Sequence, residues 1–212
     1  MRRVFVDPGS PQRDAIEEAA TWIRRGGIVA VPTDTFYALA SDPFNAGAVA
    51  RLFAVKGRPD DRAVALIAAD AAQVAAHLGA LPAAASRLAQ RFWPGPLTLV
   101  VVAHHGLLGV TAGTGTVGVR VPANDVARAI CAACGRPVTA TSANVSGEPA
   151  TADPAEVERT LGDRIDLLID TGVTPGGAPS TIVDVTNQLP HLVRAGAIPW
   201  DEIQAWLDTA KA

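Results

Sequence analysis

Short apolar runs recur along this chain, bounded by glycine, proline and small polar residues and separated by stretches of helical periodicity. IVAVP at 28–32 and AVALIA at 63–68 are almost wholly apolar, as strands are when both faces are covered, and LTLVVV at 97–102 is the most β-prone run present. Strands interleaved with helices predict an α/β protein, with helices on both faces of a twisted sheet. Several strands are short and joined by tight turns, so the sheet is expected to be mixed. With 212 residues, 49% of them hydrophobic, the chain suits a single domain over 1–212.

The remaining elements follow from local signals. Val4–Val6 reads as a strand. Ser10-Pro11 is expected to open a helix whose buried face holds Ile16, Ala19, Ala20 and Ile23, with Gly26-Gly27 ending it. Tyr37–Ala40 reads as a strand, and Asn45 caps a helix carrying Val49, Leu52 and Phe53. Helices are expected over about 70–78 and 82–92, and another from Asn124 to Cys134. Val117–Val121 and Pro137–Ala140 read as strands, as do segments near 166–169, 181–185 and 191–194. Asp153-Pro154 with Glu156 starts a helix in capping-box fashion, and Pro199 begins a last helix over about 199–210.

Composition excludes several classes. No apolar run approaches the roughly 20 residues needed to span a bilayer. The opening MRRVFVDPGSPQ is broken by Asp7, Pro8 and Gly9 before a secretory core could form. Two cysteines build no disulfide framework, so a reducing cytoplasm is the expected compartment. The 18 basic and 21 acidic residues leave a formal charge of −3, unlike proteins that coat nucleic acid. Sixteen of the basic residues are arginines, and the only internal lysine is Lys56. A compact ammonium and a planar guanidinium do different work at an anion site, which draws attention to Lys56.

Four segments place polar residues at strand ends, where ligands sit in helix-covered sheets. Pro32-Thr33-Asp34-Thr35 either offers hydroxyl and backbone donors to a small polar ligand or forms a solvated turn in which Asp34 caps local amides. Lys56-Gly57-Arg58-Pro59, with Arg62 nearby, gathers cations around a glycine and suits a triphosphate or bicarbonate, although it lacks Walker A spacing. Thr139 to Gly147 is a run of small hydroxyl and amide residues that lets a ligand approach the backbone. Gly176 to Asp184 is a flexible loop entering a strand, with Ser180 at the junction and Arg194 one hairpin later. Cys131 and Cys134 have CxxC spacing but lie at a helix C-terminus, where the dipole does not favour thiolate. His104-His105 lack further ligands at metal spacing, and the four tryptophans read as packing residues.

Taken together, PTDTFYAL, KGRP, FWPGPLTLVV, VGVRVP, TSANVSG, STIVD and LVRAG resemble the threonylcarbamoyl-AMP synthase family, the YrdC-like domain in its single-domain form. The match runs from about residue 12 to 198 in the family's order and spacing. The resemblance implies a three-layer YrdC-like fold with a concave basic cavity. It also implies a reaction in which L-threonine, bicarbonate and ATP give threonylcarbamoyl-AMP and pyrophosphate. Mg²⁺ would accompany the ATP, and no protein residue is expected to ligate it. Motif by motif, Thr35, Arg120, Ala140 and Ser180 resemble threonine contacts. Lys56 and Arg58 resemble a catalytic pair on phosphates and bicarbonate, and Arg62, Thr116, Ser142, Asn144 and Arg194 fall where the family holds the nucleotide. A partner complex would then use the adenylate to make N6-threonylcarbamoyladenosine in tRNA, and tRNA or double-stranded RNA is a possible direct partner. Two other readings of the same fold stay open, an RNA-binding module without adenylate synthesis and a carbamoyl-transfer enzyme. The common PTDTVYGLG reads PTDTFYALA here, so Phe36, Ala38 and Ala40 depart from the pattern and either narrow the cavity or pack a strand.

Overall fold

The alternation of short apolar strands with amphipathic helices is realised in a computed structural model that describes residues 1–57, 63–103, 105–187 and 189–209. Along the first half run β1 (Arg2–Phe5), α1 (Arg13–Arg24), β2 (Val29–Val31), β3 (Ala38–Ala40), α2 (Ala46–Lys56), β4 (Leu66–Ile67), α3 (Ala71–Leu78), α4 (Ala83–Phe92) and β5 (Leu97–Val102). The second half adds β6 (Thr116–Arg120), α5 (Asp125–Cys134), β7 (Val138–Thr139), β8 (Thr141–Ser142), α6 (Pro154–Leu161) and β9 (Leu167–Asp170). It closes with β10 (Thr181–Asp184), β11 (His191–Arg194) and α7 (Trp200–Thr209).

The strands sort into two mixed sheets, in the orders β1-β9-β2-β3-β8 and β11-β10-β5-β6-β4-β7. In the five-stranded sheet the period of two puts Val29, Val31, Leu167 and Ile169 against α1 and α5, while Ala30, Leu39 and Leu168 face α2 and α6. Both faces are dry, which is why IVAVP is apolar throughout. The six-stranded sheet behaves differently. Leu97, Leu99, Val117, Val119 and Val183 join the same core as Leu88 of α4 and Ile203 of α7. Its opposite face, with Thr98, Arg120 and Ile182, borders a cavity.

The sheets are stitched where β7 runs into β8. Ala140, the one residue between them, donates its amide to the Ala65 carbonyl at 2.7 Å. Thr139 donates its amide to Ser41 O at 3.0 Å, and Ser41 N donates to Thr139 Oγ1 at 2.8 Å. β8 itself, antiparallel to β3 with Ala38 opposite Ser142, was not expected from the TSANVSG run.

Asn45, Asn124 and Asp153 cap α2, α5 and α6 through their side chains, as their positions predict. The start of α1 corrects the sequence reading. Its first residue is Arg13 and its cap position is Gln12, with no side-chain bond. Ser10 is instead drawn into a turn on Asp7, whose Oδ1 accepts from Gly9 N and whose carbonyl accepts from Ser10 N. Among the described residues no helix is long and apolar enough to cross a membrane.

α2 delivers Lys56 to the cavity region, and its orientation is anchored by Arg51. The Arg51 guanidinium forks onto Asp166, with Nη1–Oδ2 at 2.7 Å and Nη2–Oδ1 at 2.9 Å, while Ile28 N also donates to Oδ2 at 2.8 Å. Burial pushes the Asp166 carboxyl up, but the Arg51 fork and the Ile28 amide outweigh burial and hold it below its ordinary value. A carboxyl lowered by folding adds stability that is present above its unfolded pKa, about 3.9, and lost as pH falls through the folded value. Asp166→Asn is therefore expected to lower the melting temperature at neutral pH and to converge on wild type as pH falls through the lowered Asp166 pKa, followed by thermal denaturation across pH.

Candidate active site

The cavity lies at the seam of the two sheets and encloses about 570 Å³. One wall comes from the loop after β2. Pro32 ends the apolar ladder of β2, and the next residues turn on their own hydroxyls. Thr33 Oγ1 donates to Phe36 O at 2.7 Å and accepts from Thr35 N at 3.1 Å. That commits the Thr33 hydrogen, so in the 3.2 Å contact between the two hydroxyls Thr35 is the donor. The lone pairs of Thr35 remain available to a donor on a ligand. Its carbonyl is held from behind by Thr174 Oγ1 at 2.9 Å and Gly176 N at 2.7 Å.

The open face of the six-stranded sheet supplies the cations. Arg120, at the end of β6, is only 7% exposed, and its Nη2 lies 3.1 Å from Asp34 Oδ1. Nη1 of Arg120 and both carboxylate oxygens of Asp34 are buried without a hydrogen-bond partner. Burial pushes the Arg120 pKa down, Asp34 opposes that, and Arg194 adds to it, while burial also lowers Arg194. Both remain charged, since a guanidinium does not lose its proton in a protein. Arg194 Nη2 donates to Ser180 O at 2.7 Å and to Ser180 Oγ at 3.2 Å, and Ser180 Oγ pairs with Thr98 Oγ1 at 2.9 Å.

Of the residues expected from sequence, Thr35, Arg120, Ala140, Ser142, Ser180 and Arg194 all border this cavity. The Ala140 amide is already given to Ala65, so only its carbonyl and methyl are left for a ligand. Lys56 and Asn144 stand just behind. Lys56 Nζ, 3% exposed at the residue level, donates to Ser142 O at 2.6 Å and to Asn144 O and Oδ1 at 3.1 Å each. Those acceptors match the three hydrogens of an ammonium. Lys56 thereby organises the Ser142–Asn144 turn. Thr116 does not border the cavity: it sits at the far end of β6 from Arg120, bonded to Thr114 Oγ1 at 3.0 Å. Arg58 and Arg62 lie outside the described residues.

The sequence reading missed Asp34 and Thr98. Asp34 caps no local amide, because Thr33 does that work, and pairs with Arg120 instead. Thr98 had a visible signal as the one polar residue in LTLVVV. Of the three departures in PTDTFYALA, Phe36 and Ala38 reach the cavity, while Ala40 is wholly buried against the α1/α5 side.

Other candidates are weaker. Cys131 and Cys134 are buried free thiols, and burial pushes the Cys134 thiol up to about 12 and that of Cys131 further, which disfavours the reactive thiolate. A cleft of about 590 Å³ beside α3 and α4 is lined mainly by alanine, with Trp93 and Pro94. Asp70 there caps Gln73 N, Ser86 donates to Leu81 O and Arg128 donates to Pro122 O.

Gly196 sets the Ser180 wall by close approach. A Cβ there would lie 2.3 Å from Pro179 O and 2.5 Å from Ser180 C and Thr181 N, all backbone atoms. Gly196→Ala is expected to destabilise the fold by about 1–3 kcal/mol in chemical denaturation. It should also displace Ser180, seen as weakened binding of any ligand of this wall. Unchanged stability would contradict the packing described.

Against known proteins, the family model Sua5_yciO_yrdC, described as "Telomere recombination", matches residues 21–196. A threonylcarbamoyl-AMP synthase of Pyrococcus abyssi is 39% identical over 198 residues, covering 91% of this chain and 58% of that protein. One from Halorhodospira halophila is 44% identical over 155 residues, covering 73% of this chain and 81% of the other. The crystal structure of P. abyssi Sua5 complexed with L-threonine superposes with a TM-score of 0.92 at 36% identity, over 97% of this chain and 61% of that one. The chain thus spans about three-fifths of the length of the Pyrococcus protein. With its two mixed sheets, its seam cavity and a family match over most of its length, the chain belongs to the Sua5/YciO/YrdC family.

Proposed function

We propose that this chain makes threonylcarbamoyl-AMP and pyrophosphate from L-threonine, bicarbonate and ATP. The observation that carries the reading is the convergence in one cavity of Thr35, Ser180, Arg120 and Arg194, in a chain whose relatives bear the name of that activity. Threonine is zwitterionic. Its carboxylate suits the Arg120 guanidinium, which borders the cavity, and its ammonium suits the lone pairs of Thr35. Its hydroxyl suits Ser180 Oγ, which is oriented by Thr98 and Arg194.

The chemistry asks for positioning and charge neutralisation more than for proton transfer. The threonine nitrogen, as the free amine, attacks CO2 derived from bicarbonate, forming a carbamate. A carbamate oxygen then attacks the α-phosphorus of ATP, and pyrophosphate leaves. Cations gather the charge on both reactants. Arg194 and the turn held by Lys56 would bear the nucleotide, joined by Arg58 and Arg62. Mg²⁺ enters as part of the ATP substrate, held by phosphates and water. No three His, Cys, Asp or Glu side chains come together as a cation cage among the described residues. The adenylate would pass to a partner complex that modifies tRNA in the cytoplasm.

The test is to incubate the purified protein with Mg-ATP and bicarbonate, with and without L-threonine, following pyrophosphate and the adenylate by mass spectrometry. Threonine- and bicarbonate-dependent product is expected. Binding of RNA without turnover, or turnover of carbamoyl phosphate in its place, would overturn the assignment. Two variants locate the site. Lys56→Ala should abolish adenylate formation by releasing the Ser142–Asn144 turn, with the fold retained by circular dichroism. Ser180→Ala should raise the threonine KM by about fivefold, the worth of one hydrogen bond of about 1 kcal/mol between neutral groups, with kcat little changed.

A further inference from the structure

The pair of Arg120 with Asp34 is the least satisfied polar feature in the core. Two guanidiniums, those of Arg120 and Arg194, belong to one cavity, and they lie close enough for each to weigh on the other's charge. A buried cation is costly unless an opposite charge offsets it. Asp34 is the carboxylate within ion-pair distance of Arg120 among the described residues, and its oxygens make no hydrogen bond to any backbone amide or hydroxyl there. Asp34 itself does not border the cavity, so a ligand meets Arg120 and not the carboxylate behind it. Arg120, with Asp34 beside it, borders the cavity where one ligand carboxylate can meet it, while Arg194 is left to the nucleotide.

We propose that Asp34 is a positioning residue that sets amino-acid affinity and selectivity through Arg120. It holds the guanidinium at the end of β6 in the orientation that meets one ligand carboxylate and offsets the Arg120 charge while the cavity is empty. The substrate class that follows is a free α-amino acid, rather than its amide or alcohol. This rests on the threonine-dependent activity proposed above. It adds that the acidic member of Pro32-Thr33-Asp34-Thr35 discriminates the carboxylate without touching it.

The experiment compares wild type, Asp34→Asn, Arg120→Gln and the double variant. Binding of L-threonine and of L-threoninol, which lacks the carboxylate, is measured by calorimetry, and adenylate kinetics are measured for wild type and Asp34→Asn. Asp34→Asn is expected to weaken L-threonine binding and raise its KM at least tenfold, with kcat within twofold. L-threoninol binding should be unchanged. In the Arg120→Gln background the same Asp34 substitution should cost less than twofold, because the residue through which it acts is gone. Unchanged threonine affinity in Asp34→Asn, or a loss of equal size in the Arg120→Gln background, would overturn the inference. An equal loss for threonine and threoninol would also overturn it, since that is what a general structural defect produces. If Asp34→Asn alone does not fold, the double variant, which leaves neither charge buried, is compared with Arg120→Gln. Equal threonine affinities support the role and a further loss overturns it. Failure of wild type itself to bind threonine would overturn the proposed activity and this inference together, whereas wild-type binding that Asp34→Asn does not alter overturns this inference alone.

Discussion

The hydrogen bond from the Ala140 amide to the Ala65 carbonyl, 2.7 Å long, is the hinge on which the architecture turns. With the Ser41–Thr139 contacts it forces the chain to leave one sheet and enter the other within a single residue. Two sheets joined at an edge in this way cannot lie face to face along their whole width. One face of the six-stranded sheet is left to line a cavity, and the polar residues of β5, β6 and β10 gather there. Small side chains at Ala38, Ala140 and Ser142 keep the seam open, and a larger residue at any of them would fill it.

Around that seam the protein sets buried charge against fixed acceptors. Lys56 is held by the carbonyl oxygens of Ser142 and Asn144 and by the side-chain oxygen of Asn144, which fixes its ammonium behind the cavity wall. Arg120 is paired with Asp34, and Arg194 is held by the carbonyl and hydroxyl oxygens of Ser180. The result, among the described residues, is a site rich in cations, carried by strands, a helix end and short turns pinned by hydrogen bonds. Such preorganisation suits a reaction between anions, because the cations are desolvated and oriented before the substrates arrive.

Much of this was legible in the chain. The strands at 97–102 and 191–194, the caps at Asn45 and Asn124, and the helices ending at Gly57 and Gly135 follow from local rules, since caps and breakers act within a turn. The α1 start was misread because Ser10 belongs to a turn on Asp7, so the helix begins two residues beyond the Ser-Pro pair. β8 was missed because two small polar residues carry no strand propensity, and only the edge of β3 makes a strand of them. Six site residues found from motifs meet in the cavity, while Thr116 stays at the other end of its strand because three residues of β-strand separate it from Arg120.

The sequence by itself determined the alternation of elements, the family, and the residue types that bear the chemistry, because each is written in short motifs and in a period of two or 3.6. Only the tertiary structure decided which of two readings of Asp34 holds. A carboxylate in a Thr-Asp-Thr turn looks like a local cap, and nothing nearby in the chain says otherwise. Its partner, Arg120, arrives from a strand far along the chain, and the pairing exists because both charges are drawn out of water at the same seam, where among the described residues each finds its opposite only in the other.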